Sequence, residues 1–137
     1  MLYCLMLGCL QNALRAAPTC ADAYVAMYAV DALRQLAAKL LDRAELARFT
    51  HQGEALRPFA AVLRHSDSPA VRELAVACVA HAVSAHPRGL GSGWRSVLEA
   101  LTLAARDASP TVVGQALDAL QPVVEALFRP AGHTLLR

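Results

Sequence analysis

Apolar side chains return at helical spacing along almost the whole of this sequence. Over residues 21–41, Val30, Leu33, Leu36, Ala37, Leu40 and Leu41 fall on one stripe with the 3.6-residue period of an α-helix. Breakers cut the pattern into seven helical segments, the first over residues 2–16, ahead of Pro18. Residues 42–49 read as a short helix, with Asp42 at its start and Glu45 three positions on, the spacing of a capping box. Residues 50–53 are expected to form a loop. The helix over 54–65 is expected to carry Pro58 in its first turn, where a missing N–H costs little. Ser68-Pro69 opens the next helix, with Val71, Leu74, Ala75, Cys78, Val79 and Ala82 inward, and it stops at His86-Pro87. Ser92-Gly-Trp94 opens another that runs to Asp107, with Val97, Leu98, Leu101, Ala104 and Ala105 inward. The last begins at Ser109-Pro110 and buries Val112, Val113, Ala116, Leu117, Leu120, Val123 and Val124; Pro122 is expected to kink or end it.

The pattern also repeats. Ser68-Pro-Ala-Val71 and Ser109-Pro-Thr-Val112 stand 41 residues apart. Behind them Val71, Leu74, Ala75, Cys78 and Val79 align with Val112, Gln115, Ala116, Ala119 and Leu120. A further step of 41 back reaches Val30, Leu33, Arg34, Ala37 and Ala38, a weaker copy. Paired helices at a period of about 40–47 residues are the signature of HEAT and armadillo arrays. Such units bury their faces only by stacking on neighbours. The expected fold is therefore all-α, a HEAT/armadillo-like α-solenoid segment of about three helix pairs over residues 21–128. An apolar helix over 1–20 precedes it and a frayed tail over 129–137 follows. The alternative is a closed helical bundle in which the repeated Ser-Pro start is coincidence.

Composition supports the helical reading. There are 29 Ala and 22 Leu, no Ile, and single Lys and Asn residues (Lys39, Asn12). The missing AT-rich codons point to a GC-rich genome, with Val, Leu and Ala filling positions where Ile often sits. A chain 56% hydrophobic with a net charge of +2 is not disordered, and its charge is too small to imply nucleic acid. Its arginines, spread along the chain, fit solvated helix faces. Cys4, Cys9, Cys20 and Cys78 lack zinc-site spacing and suit a reducing compartment, with Cys78 a small core residue. The apolar start, residues 1–10, reads as a buried first helix; a signal-peptide core is the alternative, weakened by the absence of a basic segment before it.

No catalytic constellation, cofactor motif or metal-ligand spacing is present. Gly89-Leu-Gly-Ser-Gly93 lacks the Lys and strand context of a phosphate loop and reads as a turn between helices. Asp67 and Asp107 each precede a Ser-Pro start and are read as N-terminal caps worth about 1 kcal/mol each. Pro69 opens its helix, and Trp94 is read as a buried anchor between units, with about 3–5 kcal/mol expected to be lost in Trp94→Ala.

Several stretches carry a resemblance. Residues 29–41, with Asp31-Ala-Leu-Arg-Gln-Leu36 within them, are followed in order by Glu45-Leu46, Leu56-Arg-Pro-Phe59, Ser68-Pro-Ala-Val-Arg72, Gly91-Ser-Gly-Trp-Arg95 and Ala104-Ala-Arg-Asp107. This order resembles the helical-repeat region downstream of the catalytic domain in large ARF guanine-nucleotide exchange factors of the brefeldin-A-inhibited (BIG) type. The family pattern runs D-S-L-R-Q-L, E-E-L, L-R-P-F, S-P-x-I-R, K-S-G-W-K. Val71 and Arg95 stand where the family has Ile and Lys, as the codon bias would produce. The likeness covers residues 26–107 and, more loosely, extends to 124.

The resemblance implies a non-catalytic regulatory or scaffold segment in Golgi vesicle trafficking, cytoplasmic and peripheral to trans-Golgi membrane. The implied partners are ARF-type small GTPases and the rest of the parent exchange factor, whose exchange domain lies elsewhere. Arg34, Gln35, Arg57, Arg72 and Arg95 are the candidate interaction residues, and Phe59, Trp94, Asp67, Asp107 and Pro69 the structural anchors. Arg34 and Arg72 have a second reading, as structural partners of Asp31 or Asp67. A HEAT-type adaptor unrelated to nucleotide exchange is the alternative function.

Overall fold

The computed structural model describes residues 20–43, 51–87 and 89–128. All regular structure among them is helical: α1 (Cys20–Leu41), α2 (His51–His65), α3 (Pro69–Ala85), α4 (Gly93–Ala105) and α5 (Pro110–Phe128). The segment expected over residues 2–16, most of the short helix over 42–49, and the tail lie outside the described residues.

Each helix packs on its sequence neighbour and on the helix after that. Thus α1 lies on α3 and α3 on α5 in one layer, while α2 lies on α4 in the other. Among the described residues α1 and α5 do not touch. A closed bundle would bring them together; an open stack of helix pairs keeps them apart, and that is the solenoid arrangement.

The 41-residue period is visible in what is buried. Val30, Val71 and Val112 are each fully buried, and Ala37, Cys78 and Ala119 one position set along, then Leu41, Ala82 and Val123, are buried too. The same offset governs the second layer, where Leu56, Phe59, Ala60 and Leu63 of α2 match Val97, Ala100, Leu101 and Ala104 of α4, all buried. Small residues at seven of these seventeen places let the helix backbones approach closely, which the abundance of alanine serves. At the far ends of α1 and α3, His86 Nε2 stands 3.3 Å from Asp42 Oδ1.

Several expectations are corrected. His51, Gln52 and Gly53 are not a loop but the first turn of α2. Pro58 consequently lies two turns into that helix, and it is buried there. Pro122 does not end α5, which continues to Phe128. Pro122 and Asp118, whose carbonyl has lost its helical donor, are both exposed, so solvent can supply the missing bond. The cap residue of α3 is Ser68, in extended backbone, with Pro69 at the first helical position; Asp67 is exposed beside it. Trp94 packs against the core but is only partly buried, so it is a weaker anchor than fully buried Phe59. Leu98, Leu117 and Val124, expected inward, are exposed, because each stands on a side of its helix that no described helix covers.

Candidate interaction face and the clasps beneath it

The glycine run ahead of α4 is a mechanical joint. Gly91 has a φ of 25°, a left-handed conformation that favours glycine. Gly93, the first residue of α4, comes so close to α2 that a Cβ there would stand 3.0 Å from Leu56 Cδ1. Polar bonds fasten the same corner: Gln52 Nε2 donates to the Gly89 carbonyl at 2.7 Å, and Ser96 Oγ donates to the Gly53 carbonyl at 2.8 Å. A valine at position 93 must displace Leu56 from a packed site. Gly93→Val is expected to cost about 1–3 kcal/mol, read as a lower urea midpoint.

A second clasp joins α3 to the turn before α5. Arg72 presents its guanidinium as a fork to Asp107, with Nε 2.7 Å from Oδ2 and Nη2 3.1 Å from Oδ1. Its remaining Nη1 donates to the Ser66 carbonyl at 2.8 Å, and Asp107 Oδ1 also accepts the Ser109 N–H at 2.8 Å. The side chains are only 13% and 7% exposed. Burial alone would push the Asp107 carboxyl up, but the Arg72 guanidinium and the Ser109 and Ala108 N–H groups outweigh it and hold it below the ordinary carboxylate value. Arg72 therefore pairs with Asp107 rather than with Asp67, and Asp107 serves this clasp as well as the turn ahead of α5.

The five candidate interaction residues fall on both layers. Arg34 and Gln35 lie on α1 and bind Asp31, Arg34 Nε at 2.8 Å from Oδ1 and Gln35 Nε2 at 2.9 Å from Oδ2. The Arg34 bond first, then that from Gln35, holds the Asp31 carboxyl below its usual value. Arg72 is committed to its clasp. Arg57 and Arg95 lie on the other layer, both exposed and without an ion pair among the described residues.

Two residues that the sequence did not single out complete a face around this second pair. On α2, Glu54, Arg57, Ala61 and Arg64 follow one another at spacings of three or four, and so do Arg95, Leu98 and Thr102 on α4 and Arg106, the residue that caps its C-terminal end. Each set lies along one side of its helix. Arg64 bonds Glu99 across the α2–α4 contact and so ties the two rows together. The face presents four arginines, Arg57, Arg64, Arg95 and Arg106, around Leu98, which is 41% exposed. Glu54 and Glu99 are the acids on it. Arginine forks suit carboxylates and phosphates, and an apolar centre ringed by arginine is typical of protein interfaces. The signal for Arg64 and Arg106 was available as helix phase within the helices expected from the sequence.

Cys78 is buried where α1, α2 and α3 meet, and burial pushes its thiol up to about 11, so it is held as an unreactive thiol. Among the described residues no group of three or more His, Cys, Asp or Glu is placed to hold a metal ion, and no helix is long and apolar enough to cross a membrane.

Comparison with known proteins adds a family likeness. Residues 39–122 match a family model described as Mon2/Sec7/BIG1-like, HDS. The chain is similar to brefeldin A-inhibited guanine nucleotide-exchange protein 1 of Arabidopsis thaliana, with 39% identity over 104 residues, 76% of this chain and 6% of that protein. It is similar to the human protein of the same name at 36% identity over 104 residues, again 76% of this chain and 6% of the relative. Arabidopsis thaliana brefeldin A-inhibited guanine nucleotide-exchange protein 4 shows 39% identity with the same coverage, 76% of this chain and 6% of its own length. The chain thus spans about 6% of the length of the curated relatives it matches. No solved structure matches it.

Proposed function

The chain belongs to the Mon2/Sec7/BIG1-like HDS family, and from that premise we propose that it is a non-catalytic regulatory segment of a BIG-type ARF exchange factor. The arginine face of α2 and α4 is its binding surface, and an ARF-type small GTPase or the acidic surface of the parent factor is what it meets. The observation that carries this reading is the separation of roles among the arginines. Arg72 and Arg34 are tied to acids of their own stack, while Arg57 and Arg95 stand exposed on one layer beside Leu98. The family match falls on the HDS region. In this reading the segment acts by binding: it recruits the factor to peripheral Golgi membrane or holds it inactive until an activated GTPase displaces the contact, and so serves vesicle trafficking.

The test uses the purified chain immobilised on resin and an ARF-type GTPase loaded with either a GTP analogue or GDP. The GTP form is expected to be retained over the GDP form, with no acceleration of nucleotide release. Equal failure of both forms to bind would remove the GTPase from the proposal, and faster nucleotide release would contradict the non-catalytic assignment.

A further inference from the structure

The outer side of α5 repeats, uncovered, an interface that α3 has already filled. On α3, Arg72, Val76, Val79 and Val83 follow at spacings of four, three and four, the seam pattern of packed helices. Arg72 reaches Asp107 directly ahead of α5, so this is the side that α3 turns towards α5. Val76, Val79 and Val83 on it are buried. Forty-one residues on, α5 carries Val113, Leu117, Leu120 and Val124 at the same spacings. Here Leu117 and Val124 are 57% and 50% exposed, and Phe128, one turn further along, is 75% exposed. The adjoining side of the helix, with Val112, Ala116, Ala119 and Val123, is buried in the stack.

We propose that this stripe of α5 is the seat for a helix of one further 41-residue unit, laid on α5 as α5 lies on α3. Continuity of the period is the first argument, since position for position the open stripe copies the filled one. Size is the second. Three exposed apolar side chains fall well short of the ~800 Å² per partner of a stable interface between separate chains, whereas a tethered helix has the advantage of a high effective concentration. The relatives, of which this chain spans 6%, have length for many such units.

The test compares the chain as it stands with an extended form, residues 1–128 followed in register by a second copy of residues 88–128. The added α5-like helix then meets the first α5 in the way α5 meets α3. The extended chain is expected to unfold in urea as one transition, at a higher midpoint and with a slope steeper by about 30%, in step with its added length. Leu117→Glu in the first copy is expected to lower that midpoint while leaving the midpoint of the unextended chain unchanged. Separate unfolding of the added unit, or an equal loss from Leu117→Glu in both chains, would overturn the proposal. So would a concentration-dependent dimer of the unextended chain that Leu117→Glu abolishes, since a second copy would then be the occupant.

Discussion

Arg72→Ala is expected to remove about 3–5 kcal/mol of folding free energy, the loss that follows when one partner of a largely buried ion pair is deleted. The substitution strands Asp107, only 7% exposed, with the Ser109 and Ala108 N–H groups as its remaining support, and leaves the Ser66 carbonyl without its guanidinium donor. An exposed pair would be worth no more than about 1 kcal/mol. The size of the loss therefore reports whether the clasp is as closed as its geometry indicates. Arg72→Lys keeps the charge but not the fork and is expected to fall between alanine and wild type. The pH dependence carries a sign. The Asp107 carboxyl is held below its ordinary value of 3.8, so its contribution is fully present above that value and is lost as pH falls through the lower, folded value. In Arg72→Ala the clasp is gone, and the deficit relative to wild type should shrink in acid. Urea unfolding of both proteins between neutral pH and pH 3 measures this directly.

Phe59→Ala is expected to cost about 3–5 kcal/mol. Phe59 is the largest of the fully buried side chains. It stands on α2 and reaches the crevice between α1 and α3, whose walls include Ala37, Leu41, Cys78 and Ala82. Walls already built of short side chains have little with which to refill the space, so the cavity persists and the cost sits at the upper part of the range. Its counterpart at the 41-residue offset is Ala100, so the two second-layer helices exchange volume at this position. A loss below about 1 kcal/mol in thermal or urea unfolding would mean that the layers do not meet through Phe59.

These two residues also show what was legible beforehand. The period of 41 was readable on the first layer because Ser68-Pro69 and Ser109-Pro110 mark two helix starts and valines follow each at fixed spacing. It was not readable on the second layer, although Phe59 and Ala100 obey it. Those helices share no start signal, and bulk on one is answered by alanine on the other, so residue types do not align. Arg72 was readable as an arginine with an acidic partner, but the partner, Asp107, lies 35 residues away and is found only once the stack forms. The start of α2 was misplaced because Gly53 reads as a loop residue. It is helical because a tight approach to Ser92 and a bond from Ser96 hold that turn against α4. Exposure at the end of the stack was illegible in principle. Leu117 and Val124 belong to the same apolar pattern as their buried counterparts Val76 and Val83, and only the absence of a covering helix among the described residues separates them.

The motifs that carry the family likeness fall largely at these joints. Leu56 meets Gly93, and Arg72 meets Asp107. Arg57 and Arg95 belong to the same motifs yet lie exposed. The account thus assigns buried motif residues to holding the stack and exposed ones to binding. The measurement that tests this division most directly is the affinity of the Arg57→Glu/Arg95→Glu double variant for a GTP-loaded ARF-type GTPase, taken beside its urea midpoint. The account predicts binding reduced at least tenfold with the midpoint unchanged. Undiminished binding, or a loss of binding matched by a loss of stability, would contradict it.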